Sequence, residues 1–317
     1  MINRNAALYL NDWLKKSRRK PLILRGARQV GKSTLVREFA KSAGLELLEI
    51  NLERHPVLDT VFRSLDVVRI CREIEGLLGR RIEAANSLLF LDEIQATPHA
   101  LAALRYFYEE MPELPVVAAG SLLEFTLADH EFSMPVGRVE YLHLGPLGFS
   151  EFLAAVDTGL VSYLEAAGRF EEIPDTAHAR LVERLREFLF VGGMPEAVCE
   201  FLENGSLTGV REVQRSIVET YQDDFAKYAR REDLARLHGV FQRIPVNIGR
   251  KIKYVNLSRE DLARDTKGCV DLLIRAQVCH RVSASHCSGL PLAAGENQRA
   301  FKLISMDVGI VNFLCGG

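Results

Sequence analysis

The sequence predicts an α/β protein: a parallel-sheet core first, then a helical region and a smaller mixed domain. Three observations carry that prediction. Up to Pro146, short apolar runs alternate with helix-forming stretches, the pattern of repeated βαβ units. One apolar run, Leu22-Ile23-Leu24, leads into a glycine-bearing loop, Gly26-Ala27-Arg28-Gln29-Val30-Gly31-Lys32-Ser33-Thr34, and then into the helix former Leu35 to Ala43. Another, Ser87-Leu88-Leu89-Phe90-Leu91, ends in the adjacent acids Asp92-Glu93.

The loop fits the phosphate-binding pattern G-x-x-x-x-G-K-[ST], in the strand–loop–helix context that pattern needs. Without side chains at Gly26 and Gly31 the backbone can approach a polyphosphate closely. Its amides then form an anion-binding nest at a helix N-terminus. Lys32 is placed to reach β- and γ-phosphates, and the Ser33 hydroxyl to ligate Mg²⁺. The alternative, a glycine turn with no ligand, leaves the lysine and hydroxyl unexplained. Candidate nucleotide-binding residues are therefore Gly26, Ala27, Arg28, Gln29, Val30, Gly31, Lys32, Ser33 and Thr34.

Ser87–Asp92 reads as a buried strand, since strands covered on both faces are near-continuous apolar runs. Ligands of open α/β sheets gather at the carboxyl ends of strands. Asp92 is the expected second Mg²⁺ ligand, directly or through water, and Glu93 the expected general base on an attacking water. Two adjacent acids favour hydrolysis over transfer to a small acceptor. The Asn-Lys-x-Asp guanine-reading pattern is not found, so ATP is expected rather than GTP.

The remaining elements follow in order. Residues 1–20 suggest a short helix, with Leu8, Trp13 and Leu14 packing on the core. Strands are expected at 21–25, 45–52, 87–92, 115–121 and 139–144. Helices are expected over 66–84 and from Thr97-Pro98, where Thr97 is a fitting N-cap and Pro98 a fitting first residue. Residues 149–230 read as mostly helical, interrupted at Ile173-Pro174-Asp175 and at Val191-Gly192-Gly193-Met194-Pro195. From 231 the order is helix (234–243), strand (253–257), helix (259–264), helix (267–277), strand (278–283) and a last strand (301–307). That order suits a winged helix. The expected domains are 1–150, 151–230 and 231–317.

Composition bounds the function. The chain has 317 residues, 48% hydrophobic and 26% charged, ordinary for a well-cored protein. No apolar stretch approaches bilayer length, and the polar, basic N-terminus lacks a signal-peptide core. A cytoplasmic protein is expected, with six cysteines that need no disulfides. Cys279-His280 and His286-Cys287 have zinc-binding chemistry, but neighbours on a strand point to opposite faces, and packing is the simpler reading. Residues 231–317 hold 13 Lys+Arg against 8 Asp+Glu, leaving 27 against 34 elsewhere. Such a basic segment is either a solvated face or a nucleic-acid surface.

Several blocks together resemble the prokaryotic AAA-family P-loop ATPases that carry a C-terminal domain of unknown function, a group related to origin-recognition and archaeal ATPases. The residues are Arg25 to Ser33, Leu91-Asp92-Glu93-Ile94-Gln95, Ala119-Gly120-Ser121, Gly137-Arg138, Gly192-Gly193-Met194-Pro195, Phe301-Lys302 and Asp307-Val308-Gly309. The resemblance implies ATP and Mg²⁺ binding and a strand order of 5-1-4-3-2. It puts Ser121 beside the γ-phosphate as a polar sensor, unless its hydroxyl caps the next helix. Arg138, just before the fifth strand, is either a charge-stabilising arginine, within the chain or across an oligomer interface, or a surface ion-pair partner. The nuclease-like domain usual in the group has no counterpart before Gly317, so nuclease activity is not expected, and the chain reads as truncated or as a member without that domain. Two functions fit. One is an ATP-hydrolysing switch whose winged helix touches DNA. The other is a slow-turnover ATP-binding scaffold that holds a protein partner.

Overall fold

The computed structural model describes residues 2–121, 125, 137–167, 172–287, 289–291 and 295–316. The chain divides into two compact units, residues 3–145 and 146–317.

The first unit is built on five strands: β1 (Leu22–Arg25), β2 (Glu46–Asn51), β3 (Ser87–Asp92), β4 (Val116–Ala119) and β5 (Glu140–His143). Their order is β2-β3-β4-β1-β5, the expected 5-1-4-3-2 read from the other edge, and every pairing is parallel. Register puts Leu24 opposite Ala119 on one side and Leu142 on the other. Burial explains the composition of each strand. All residues of β3 and β4 are buried, which only continuous apolar runs satisfy. The edge strand β5 alternates between half-buried and exposed positions, as a strand covered on one face does.

Helices α1 (Ala6–Leu14), α2 (Lys32–Ala43), α3 (Leu58–Phe62), α4 (Val67–Leu78) and α5 (Pro98–Glu110) complete this unit. On α1 the buried residues are Leu10 and Trp13, with the Trp13 indole N–H donating to the Lys20 carbonyl at 2.8 Å. Leu8, expected to pack, is exposed. α4 starts as expected, the Asp66 carboxylate accepting the Arg69 amide at 3.0 Å. It stops at Leu78 rather than continuing to 84, because Gly79 turns left-handed at φ 64°. α5 buries Leu101, Leu104 and Phe107. Thr97 precedes it, but its hydroxyl makes no capping bond, so Pro98 is what fits the helix start. α3 has too few residues to show a periodicity and was not expected.

The second unit opens with five helices, Phe149–Val156, Thr158–Ala167, Asp175–Val191, Pro195–Asn204 and Leu207–Phe225. Helices follow at Leu234–Arg243, Tyr254–Leu257 and Ala263–Arg275, then an antiparallel pair β6 (Cys279–Ser285) and β7 (Glu296–Ser305), and a last helix Val308–Leu314. Two expectations fail here. Where a strand is expected over 253–257, Tyr254–Leu257 forms a turn of helix, and the helix expected over 259–264 is absent, Ala263 starting the next one. Val255 is the one β-branched residue of Tyr254 to Leu257, and strand preference reflects packing context more than backbone.

The Gly-Gly-Met-Pro turn and the Asp-Val-Gly block meet in this unit. The Asp307 carboxylate accepts the Gly193 amide at 2.6 Å and the Ile310 amide at 2.9 Å. A Cβ on Gly193 would sit 2.0 Å from the Leu147 carbonyl oxygen, and one on Gly309 2.4 Å from that of Val191. Backbone thus packs on backbone, and only glycine fits. Burial pushes the Asp307 carboxyl up, against the backbone amides that hold its charge.

Candidate nucleotide site

β1 delivers the chain into the loop at the carboxyl end of the sheet. Gly26 has φ 155°, and a Cβ there would lie 2.1 Å from the Leu144 carbonyl oxygen, so no other residue fits. Gln29 (φ 61°) and Gly31 (φ 88°) are both left-handed, which folds the loop back over the start of α2. Ala27 and Val30 are buried, anchoring the loop from below. The Arg4 guanidinium ties it further, donating to the Val30 carbonyl at 3.0 Å. Gly31 is the residue before α2 and offers no side-chain cap, so the first-turn amides of Lys32, Ser33 and Thr34 have no intrahelical acceptor.

Lys32 is only 9% exposed. Its ammonium donates to the Gly26 and Ala27 carbonyls at 2.9 and 2.7 Å, which keeps it inside the loop. Burial pushes its pKa down to about 8, with the Glu93 and Asp92 charges opposing and Arg28 adding to the fall. A cation held this way favours a nearby anion.

β3 brings the acids to the same end of the sheet. The Ser33 hydroxyl donates to Asp92 Oδ2 at 2.8 Å, while Asp92 Oδ1 accepts the Glu93 amide at 3.0 Å. Burial pushes the Asp92 carboxyl up; the bond from Ser33 opposes it. Glu93 sits at φ 52°, ψ 47°, an uncommon conformation for a non-glycine residue. Its Oε2 accepts the Gln95 amide nitrogen at 2.5 Å.

The structure therefore brings Gly26 to Thr34, Asp92 and Glu93 together. Ser121 follows β4, and its hydroxyl is buried without a hydrogen-bond partner among the described residues. Residues 122–124, on which a helix-capping role would depend, lie outside the described residues, as do Met134-Pro135-Val136 before Arg138. Arg138 itself is exposed. Its guanidinium donates to Glu109 Oε1 at 2.8 Å and lies over the Tyr108 ring. Sequence reasoning missed that Glu109 contact, and it gave Gln95 no role. The signal for Gln95 was its place in the Leu91-Asp92-Glu93-Ile94-Gln95 block, which carried the resemblance without giving it a task.

The other candidate ligands lie elsewhere. Cys279 is buried in β6, its thiol pushed up to about 12 by desolvation, while Cys287 is exposed. No group of three or more metal-ligating side chains occurs among the described residues. No helix among them is long and apolar enough to cross a membrane.

Residues 18–153 match the model of an AAA domain, and residues 182–316 that of a domain of unknown function. The comparison with curated proteins returns no match. Among solved structures, a Walker-type ATPase of Pyrococcus abyssi superposes with TM-score 0.61 at 16% identity, over 99% of this chain and 96% of that one; the likeness is one of fold. The ORC2 protein of Aeropyrum pernix, in ADPNP–ADP complexes, gives TM-score 0.44 at 12% identity over 98% and 91%. AMPPCP-bound DnaA of Aquifex aeolicus gives 0.40 at 10% over 86% and 89%. The chain thus carries an AAA domain over residues 18–153, followed over residues 182–316 by a domain of unknown function.

Proposed function

We propose that this chain binds ATP with Mg²⁺ and hydrolyses it, using the γ-phosphate to hold a conformation that relaxes after hydrolysis. The observation that carries the reading is the 2.8 Å bond between Ser33 and Asp92, which joins the phosphate loop to the acidic strand. The donor set fits Mg²⁺: a carboxylate and a hydroxyl, both hard oxygen donors, with the carboxylate buried and in need of a counter-charge. Bound there, the ion would neutralise charge on the β- and γ-phosphate oxygens.

The protein's own groups supply the rest. The amides of Ala27 to Thr34 and the Lys32 ammonium hold the phosphates. Glu93 takes a proton from water as the water oxygen bonds to Pγ and the bond to ADP breaks. Ser121, with its unpartnered buried hydroxyl, would donate to a γ-phosphate oxygen. Arg138 would stabilise charge in the transition state after leaving Glu109. An exposed, solvent-screened pair of this kind holds weakly, so leaving costs little.

The domain reading of 1–150, 151–230 and 231–317 goes with this proposal. Three helices followed by an antiparallel pair support a winged helix in the last segment. Arg250, Lys251 and Lys253 are exposed there, flanking Ile252, whose amide donates to the Phe301 carbonyl at 2.9 Å. We assign DNA contact to that face and the protein to the cytoplasm, in keeping with six free cysteines. One observation favours the slow-turnover scaffold with a protein partner: Arg138 is engaged by Glu109 and not committed to the site. ATPase rate with and without duplex DNA separates the two. Stimulation that fades with salt supports the switch, and a slow rate indifferent to DNA supports the scaffold.

A further inference from the structure

We propose that Gln95 is the positioning residue for Glu93, holding one carboxylate oxygen so that the other faces the attacking water. The proposal rests on the reading of Glu93 as general base.

The geometry has three parts. Glu93 leaves β3 in a left-handed turn, which aims a three-bond side chain away from the strand with nothing in its own backbone to fix it. Gln95, two residues on in the short 3₁₀ turn Ile94–Ala96, reaches back and donates its amide nitrogen to Glu93 Oε2 at 2.5 Å. A carboxylate only accepts, so the amide end, not the carbonyl end, must face it. The third part is Gly120. A Cβ there would lie 2.3 Å from Gln95 Oε1, so the carboxamide rests on bare backbone at the end of β4, beside Ser121. Its Oε1 is buried and has no hydrogen-bond partner among the described residues. Among the described residues the side chain is therefore held by packing and by a single hydrogen bond, and that bond is to the proposed base. The Glu93 charge is also the strongest of those acting on the Lys32 ammonium, which puts the carboxylate on the loop side, where a γ-phosphate would lie.

An amide donor suits this task. It cannot itself take the proton, and it leaves one oxygen free. Held orientation is a recognised source of rate, since a base must be aligned with the proton it takes.

Three variants test it, with Glu93→Gln run in parallel. Gln95→Leu keeps the shape and removes the donor. It should lower kcat about 10-fold or more, with the Kd for ATP within about 2-fold. Gln95→Glu puts an acceptor where the donor stood, and should lower kcat as Gln95→Leu does, with the Kd for ATP again within about 2-fold. Gly120→Ala should displace the carboxamide and lower kcat as Gln95→Leu does, with nucleotide affinity kept. If Glu93→Gln is inactive while all three variants keep the wild-type kcat, the proposal is overturned. If Glu93→Gln turns over normally, the general-base reading falls, and the positioning role of Gln95 falls with it.

Discussion

Raising the pH through about 8 should weaken ATP binding, and nucleotide should carry a proton into the site. In the nucleotide-free protein, burial holds Lys32 at a pKa of about 8 against the ordinary 10.5. The difference of about 2.5 units is worth about 3 kcal/mol, at 1.36 kcal/mol per unit. A bound polyphosphate supplies the counter-charge that burial removes, and returns the ammonium towards its ordinary range. Phosphate's own last ionisation lies near pH 6 and is complete at pH 8. At pH 8, about half of the lysines are then neutral and binding should take up about half a proton per nucleotide; at pH 6.5 uptake should be close to zero. Above pH 8 the Kd should rise by up to about 10-fold per unit. Calorimetry in buffers of different ionisation enthalpy measures the uptake directly. Lys32→Arg, which stays charged, should bind without it. Linkage gives a second sign. The folded pKa is depressed, so the unfolded chain binds more protons between pH 8 and 10.5, and the nucleotide-free protein should gain stability as pH rises through that window. Zero uptake at both pH 8 and pH 9 would refute the argument, since it requires Lys32 to be charged before nucleotide arrives or to stay neutral beside it.

Three other outcomes are expected. Asp307→Ala strands the Gly193 and Ile310 amides and should lower urea stability by about 2–6 kcal/mol, each buried orphan costing about 1–3; a loss under 0.5 kcal/mol would mean that the glycine packing holds without it. Arg138→Ala should cut kcat far more than ATP affinity, arginine fingers being worth about 10³–10⁵, and mixing it with Glu93→Gln should restore activity if the arginine acts across an interface; an unchanged rate at saturating ATP returns Arg138 to its ion pair with Glu109. Replacing Arg250, Lys251 and Lys253 together with Ala should lower the salt slope of DNA binding by up to about 3, checked by titration at several salt concentrations with ATP binding as the folding control.

The sheet and its loop were legible because central parallel strands impose a run of apolar residues and the phosphate loop imposes its glycines. The loop even announced its backbone, since no other residue fits at Gly26. Strand order was legible only through resemblance, because the neighbours of β1 are β4 and β5, far off in sequence, and spacing does not encode that. The failures have local causes. Leu8 is apolar but faces outward, which one short helix cannot signal. Gly79 ended a helix whose charged continuation still scored as helical. Residues 253–257 looked like a strand by composition, yet strand preference reflects packing more than backbone. The Gly-Gly-Met-Pro and Asp-Val-Gly blocks stood out in sequence, but their reason, a buried carboxylate 114 residues away from the amide it holds, is tertiary. Gln95 was hidden for the same cause. A carboxamide near an acid is common, and only the turn at Glu93 makes the two meet.

The central claim is that one site, made of the loop at Gly26–Thr34 and the acids at the end of β3, binds ATP and cleaves it. The most direct measurement is ATP affinity and single-turnover hydrolysis, side by side, for wild type, Lys32→Ala and Glu93→Gln with Mg²⁺. Wild type should bind and turn over. Lys32→Ala should lose a charge-assisted contact of about 1.5–3 kcal/mol, roughly 10- to 150-fold in Kd. Glu93→Gln should bind as wild type does and hydrolyse about 10²–10⁴-fold more slowly. Equal ATP affinity in Lys32→Ala and wild type, or wild-type hydrolysis by Glu93→Gln, would contradict the account.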